Sequence, residues 1–308
     1  MTRVAAIDCG TNSIRLLVAD LDAGTGSLVD LTRRMEIVRL GEGVDRTGRL
    51  ADAALERTFA ACDQYAEAIR ELDVDRIRFV ATSASRDAEN RADFVDGVRA
   101  RLGVAPEVVS GAEEASLSFV GATRELQGIE GAATPYLVVD IGGGSTEFVV
   151  GTAGPDAALS VDVGCVRMTE RHLRDDPPTA EQIALATVDV DAALDTVAEQ
   201  VPLGTALTLV GLAGSVTTVA GIALALPAYD SARIHHSRMP ASRVQEIADD
   251  LLGMRRAERA QIAVMHRGRV DVIGAGALIL ARIVARVGLP EVVVSEHDIL
   301  DGIAWSQI

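Results

Sequence analysis

AAIDCGTNSIRLLVA (residues 5–19) and LVVDIGGGSTEFVVG (residues 137–151) are two copies of one motif, and the reading of the chain starts from them. With Asp8 aligned on Asp140, Gly10 falls on Gly142, Ser13 on Ser145 and Arg15 on Glu147. In each copy an apolar, β-branched run leads to an Asp. A short turn of Gly, Ser, Thr or Asn follows, then a second apolar run. That pattern is a β-hairpin with a glycine-rich tip. Successive backbone N–H groups at such a tip form a concavity that takes anions. The copies differ at one chemically decisive position: a cation, Arg15, follows the first tip and a carboxylate, Glu147, the second. Two phosphate loops, one completed by Arg and one by a carboxylate able to hold a metal, point to phosphate cleavage or transfer. The alternative is two unrelated turns in an α/β protein.

At 308 residues the chain is long enough for two domains with sizeable cores. Its longest apolar run, Val272–Ala281, has 10 residues, against the ~20 that a membrane span needs. Met1-Thr2-Arg3 leads directly into a strand pattern, so no signal peptide and no membrane association are expected. The cysteines, Cys9, Cys62 and Cys165, are scattered and fit reduced cytoplasmic thiols. The net charge of −16 repels polyanions at long range, which argues against nucleic acid as a partner. All 29 basic residues are Arg, which excludes a Walker A lysine and a Schiff-base lysine. Side-chain cations for phosphate must therefore be guanidinium forks.

Periodicity gives the remaining elements. A third strand is expected over 35–40, an amphipathic helix over 51–72 (Leu55, Phe59, Cys62, Ala66, Ile69, Leu72) and a buried strand over 77–81. ATSASRDAEN then leads into a helix with Phe94, Val98 and Leu102 on one face, and SGAEEA opens another after a strand over 106–109. QGIEGAATP (127–135) reads as a linker. Beyond the second hairpin come a strand over 157–163, a helix to Gln200 capped by Thr179 with Gln182, and a strand over 207–212 entering a third Gly/Ser turn (Gly211, Gly214, Ser215). Ser242 with Gln245 is expected to cap a further helix, 269–287 to form a nearly all-apolar one, 292–295 the last strand and 298–307 the last helix. Arg167, Arg267 and Arg269 are candidates to line a phosphate path, and His235-His236 reads as a loop feature.

DCGTNSIR, ATSASRDAEN, SGAEEA and DIGGGSTE occur in this order, and together they resemble the exopolyphosphatase/guanosine pentaphosphate phosphohydrolase (Ppx/GppA) family. The resemblance spans nearly the whole chain. It implies an α/β fold of two ribonuclease-H-like domains, of the actin–sugar kinase–heat-shock superfold, with a cleft between them. The expected domains are 1–126, with the helix over 298–308 as a candidate to pack on it, and 127–297. The length fits the short, two-domain form. The implied activity is hydrolysis of a terminal phosphoryl group, with polyphosphate or guanosine pentaphosphate as substrate and Mg²⁺ or Mn²⁺ as cofactor.

Residue roles follow with that resemblance in place. Gly10, Thr11, Asn12 and Ser13 supply donors to one phosphate, with Arg15 adding charge. Arg86 joins its fork to helix N-terminal amides. Resemblance at SGAEEA makes Glu114 the expected general base, with Glu113 as runner-up; a raised pKa from neighbouring carboxylates is the expected tuning. Asp140 and Glu147 are the expected metal ligands, and Gly142, Gly143, Gly144 and Ser145 cradle the transferred or leaving phosphate. Short polyphosphates are expected to be preferred, since a longer chain must lie over a net-acidic surface. A phosphonucleotide-binding sensor without turnover and a kinase of the same superfold are the competing readings. A homodimer is compatible with the apolar C-terminal helices.

Overall fold

β1 (Thr2–Cys9) and β2 (Ser13–Asp22) form the first hairpin, with Asp8 directly opposite Arg15. In the computed structural model, which describes residues 1–126 and 128–308, this hairpin begins one of two compact units. Gln127, the first residue of the expected linker, lies outside the described residues. The first unit comprises Met1–Gly121 and Ile299–Ile308, and the second Ala122–Asp298.

In the first unit β3 (Ser27–Ile37), β4 (Arg76–Ala81) and β5 (Glu107–Val108) complete a sheet of order β3-β2-β1-β4-β5. β4 runs parallel to both β1 and β5. β1 is buried on both faces from Val4 onward, which is why residues 4–7 are an unbroken apolar run. Ala5, Ile7 and Cys9 pack with Tyr65 of the helix Asp52–Glu71 and Phe94 of the helix Arg91–Leu102. Val4 and Ala6 face the other way, toward Leu117 of the helix Gly111–Thr123 and Leu300 and Ile303 of the helix Ile299–Trp305. The third strand begins and ends earlier than its expected 35–40. It is an edge strand with mostly exposed side chains, so it carries no burial pattern to read.

The closing helix approaches its neighbour through a glycine. A Cβ at Gly302 would lie 2.7 Å from the Leu117 carbonyl carbon and collide with its oxygen. Arg33 and the buried Asp301 fix the same helix to β3 through an ion pair of 2.6 Å. Gly302→Ala is therefore expected to destabilise the first unit by about 1–3 kcal/mol, because backbone on both sides resists the added methyl. A Tm equal to wild type would contradict this packing.

The second unit repeats the plan. β6 (Tyr136–Ile141), β7 (Thr146–Gly151), β8 (Pro155–Val161), β9 (Thr208–Leu212), β10 (Arg238–Pro240) and β11 (Glu291–Val294) form a sheet of order β10-β11-β9-β6-β7-β8. A hairpin extended by a third antiparallel strand, with parallel strands on its other side, thus occurs in both units. The apolar helix Ile273–Val287 is buried among Val190, Leu194, Val244 and Leu251 of the helices Ala180–Gln200 and Ala241–Gly253. Two expected caps differ. Thr179 does accept from the Gln182 amide, but the Gln182 side chain accepts from Asp175, so the box is half formed. Ser242 lies inside its helix, whose N-cap is Pro240.

Candidate active site

Both glycine-rich tips close in the same way. The Gly10 amide donates to the Ser13 carbonyl at 3.0 Å, and the Gly142 amide donates to the Ser145 carbonyl at 3.0 Å. The alignment of the two sequence copies is thus a structural identity of two turns.

Neighbouring segments hold the carbonyls of each tip. In the first, Thr11 O accepts from the Gly41 amide, and Asn12 O accepts from the Val38 and Arg39 amides, at 2.9–3.2 Å. This bracing is the work of the residues expected as the end of the third strand. In the second, Gly142 O accepts from the Cys165 amide, Gly143 O from the Val166 and Arg167 amides, and Gly144 O from Arg167 Nε at 2.7 Å. A trans peptide points its C=O and the following N–H in opposite directions. The amides of Gly143, Gly144 and Ser145 therefore point away from the bracing helix, as a phosphate cradle requires.

In the first unit the candidate residues stand at the carboxyl ends of β1, β4 and β5, where ligand sites of open α/β sheets lie. The Thr82 amide donates to Cys9 O, which sets the segment after β4 beside the first tip. Arg86 follows in the short helix Ser83–Asp87, and its Nη1 donates to Val109 O at 2.9 Å and to Glu114 Oε2 at 3.0 Å. Glu114 is buried, at 7 % exposure. Glu113 is turned outward, with a side chain 46 % exposed and an ion pair to Arg78 at 2.7 Å. Arg86 is thus one neighbour of the buried Glu114 carboxylate. Arg15 is paired as well: its Nη2 lies 2.6 Å from Asp8 Oδ2.

In the second unit Asp140 and Glu147 are direct cross-strand partners, 7 % and 1 % exposed. Glu147 accepts a hydrogen bond of 2.7 Å from Ser160 on β8. Two buried carboxylates opposite one another repel unless a cation or a proton lies near them. In the first hairpin the same two positions hold Asp8 and Arg15, which satisfy each other. The second hairpin thus presents buried, acidic oxygen donors next to a phosphate-type loop, a donor set that suits Mg²⁺ or Mn²⁺.

Comparison with known proteins shows the family and the fold. The model of the Ppx/GppA phosphatase family matches residues 17–307. The chain belongs to the Ppx/GppA phosphatase family. It is 51 % identical to Exopolyphosphatase 2 of Mycobacterium tuberculosis, over 99 % of this chain and 98 % of that protein. A solved exopolyphosphatase-like protein superimposes with a TM-score of 0.95 at 44 % identity, covering 99 % of this chain and 98 % of the other. The Aquifex aeolicus PPX-GPPA enzyme gives a TM-score of 0.82 at 29 % identity, over 99 % of both chains. The two-unit α/β architecture is that of these Ppx/GppA enzymes.

Several further residues support these turns from behind. Arg167, a candidate for the phosphate path, is a brace for the second tip. Arg269 has its guanidinium against Gly214 in the third turn, where a side chain on residue 214 would displace it. That turn holds Ala213 at φ 67, a left-handed conformation unusual for Ala. Cys165 carries a double load: its amide holds Gly142 O, and its thiol bonds Ser215 at the start of the helix Ala213–Ala223. Burial pushes the thiols of Cys9 and Cys165 up, and that of Cys62 up to about 12. All three are protonated packing groups and not nucleophiles.

Proposed function

We propose that this member of the Ppx/GppA family is an exopolyphosphatase, a phosphoanhydride hydrolase that releases orthophosphate from the end of inorganic polyphosphate. The observation that carries this reading is the 51 % identity to Exopolyphosphatase 2 along essentially the whole of both chains. The two braced tips and the buried Glu114 support it from the side of chemistry.

The proposed roles are as follows. Water attacks the terminal phosphorus, the P–O bond to the bridging oxygen breaks, and its electron pair leaves with the shortened chain. Glu114, held by Arg86, takes the proton that the water loses. Arg86 fixes the Glu114 carboxylate and leaves the rest of its fork for a phosphate oxygen. The tips 10–13 and 142–145 bind phosphate oxygens through their amides and hydroxyls. Arg15, neutralised by Asp8, shapes the first tip more than it supplies net charge. Asp140 and Glu147 hold Mg²⁺ or Mn²⁺, which supplies charge neutralisation of the phosphate oxygens. Positioning and charge account for most of such a rate enhancement, since phosphoryl transfer needs little covalent help. We also assign the enzyme to the cytoplasm, in keeping with three buried free thiols. Among the described residues no helix is long and apolar enough to cross a membrane.

Phosphate release from polyphosphate, guanosine pentaphosphate and ATP, each with and without Mg²⁺, tests the assignment. Polyphosphate is expected to be the best substrate, and the reaction is expected to stop in excess chelator. Glu147→Ala should need a higher metal concentration for half-maximal rate. Turnover undiminished by chelator would remove the metal role of Asp140 and Glu147. Tight phosphonucleotide binding without turnover would replace the hydrolase by a sensor.

A further inference from the structure

A second group of metal-type ligands lies in the second unit, away from the phosphate tips in sequence. Glu125 follows the helix Gly111–Thr123, His235 follows the short helix Ser231–Ile234, and His297 precedes the helix Ile299–Trp305. His235 Nε2 lies 3.2 Å from Glu125 Oε2, and His297 Nδ1 lies 3.3 Å from the same oxygen. All three atoms fall within 4.8 Å of one another. In a tetrahedral complex with bonds of about 2.0–2.1 Å the ligand atoms stand about 3.3 Å apart. Two of the three edges therefore already have the required length. Two imidazoles and one carboxylate suit Zn²⁺ or Co²⁺ and are a poor set for Mg²⁺, which demands oxygen. The Glu125 side chain is 53 % exposed, so the outer coordination positions open to water.

We propose that Glu125, His235 and His297 form a binding site for a borderline divalent cation of the Zn²⁺ class, distinct from the Mg²⁺ assigned to Asp140 and Glu147.

The surroundings say how such a cation binds. His235 Nδ1 accepts the Glu296 amide at 3.1 Å, so without metal the ring carries its proton on Nε2, facing Glu125. Metal at Nε2 moves that proton to Nδ1 and so breaks the hydrogen bond from the Glu296 N–H to Nδ1. A metal-bound imidazole ordinarily donates its second N–H to an acceptor; here it meets a donor, which lowers the affinity and ties binding to release of the Glu296 amide. The Glu296 side chain stays anchored, since its Oε1 accepts from Tyr229 at 2.7 Å. His236 stacks on His235 with ring centroids 3.6 Å apart. Glu125 and His297 lie close to the residues at which the second unit begins, Ala122, and ends, Asp298. A bound cation thus clasps the entry and exit of that unit to each other.

The test is a titration of the full-length, untagged, metal-free protein with Co²⁺ in the presence of excess Mg²⁺, read by the visible spectrum of bound cobalt. One cobalt is expected to bind per chain, Zn²⁺ to displace it and Mg²⁺ not to. His297→Ala and Glu125→Gln should each weaken uptake by at least ~10-fold, and Glu147→Ala should leave it unchanged. The Glu296 amide resonance should shift on saturation. The proposal is overturned if the folded wild type shows no saturable uptake of Co²⁺ or Zn²⁺, if His297→Ala binds as wild type, or if Glu147→Ala abolishes uptake. None of these readouts depends on turnover, so failure here leaves the hydrolase assignment standing.

Discussion

Glu114→Gln is expected to lower kcat by ~10²–10⁴ while the protein stays folded, since that is the usual worth of a general base. The substitution is nearly isosteric, and the amide oxygen can still accept from Arg86 Nη1, as Glu114 Oε2 does at 3.0 Å. The new amide cannot take a proton from water. Thermal unfolding and substrate KM should therefore move little while turnover collapses. Glu113→Gln is the matched control. Its carboxylate faces Arg78 in a half-exposed ion pair, and such pairs contribute about 0–1 kcal/mol; turnover should stay near wild type. An inactive Glu113→Gln with an active Glu114→Gln would move the base by one residue. Loss of fold in Glu114→Gln would show that the carboxylate serves the helix start.

Gly164→Ala is the second large effect, and it acts through a residue that touches no substrate. Gly164 has extended backbone angles, φ −146 and ψ 162, that any residue can adopt. The constraint is space. A Cβ there would lie 2.5 Å from the Gly143 carbonyl carbon and 2.6 Å from that of Gly144. Those atoms are backbone of the second tip, which amides 165–167 hold in place. The tip must shift, and a displacement of about 1 Å at a binding constellation can cost ~10²-fold. kcat/KM is expected to fall by about that factor, with a stability loss of about 1–3 kcal/mol. Gly154→Ala, in the same unit and with open space at its Cβ, should match wild type. Wild-type kcat/KM for a folded Gly164→Ala would mean that the second tip does not hold substrate in this shape.

What could be read from sequence was what repeats or what is local. The two tips were legible because the hydrogen bond that closes them spans four residues, and both copies carry Gly and Ser at its ends. The helix Asp52–Glu71 was legible because apolar residues such as Leu55, Cys62 and Ile69 recur along its buried face. The pairing of Arg15 with Asp8 was open to the same reasoning, because residues equidistant from a four-residue tip must be cross-strand partners. Edge strand β3 was misplaced because it buries little. The partners of the carboxylates were out of reach. Arg86 reaches Glu114 across 28 positions and Ser160 reaches Glu147 across 13, and no spacing rule connects them. Glu125, His235 and His297 are farther apart still, and adjacent histidines look like a loop until the fold brings a glutamate to them.

The closing helix Ile299–Trp305 has a consequence for biosynthesis. Its residues Leu300 and Ile303 complete the face of the first sheet that Val4 and Ala6 present. The second unit, by contrast, is one unbroken stretch, Ala122–Asp298. Nascent chains ordinarily fold from the amino end onward. Here that order is inverted: the unit made second can finish first, while strands laid down at the outset wait with an apolar face uncovered until residues 299–308 emerge. The interval before that emergence is when the young chain most needs a chaperone.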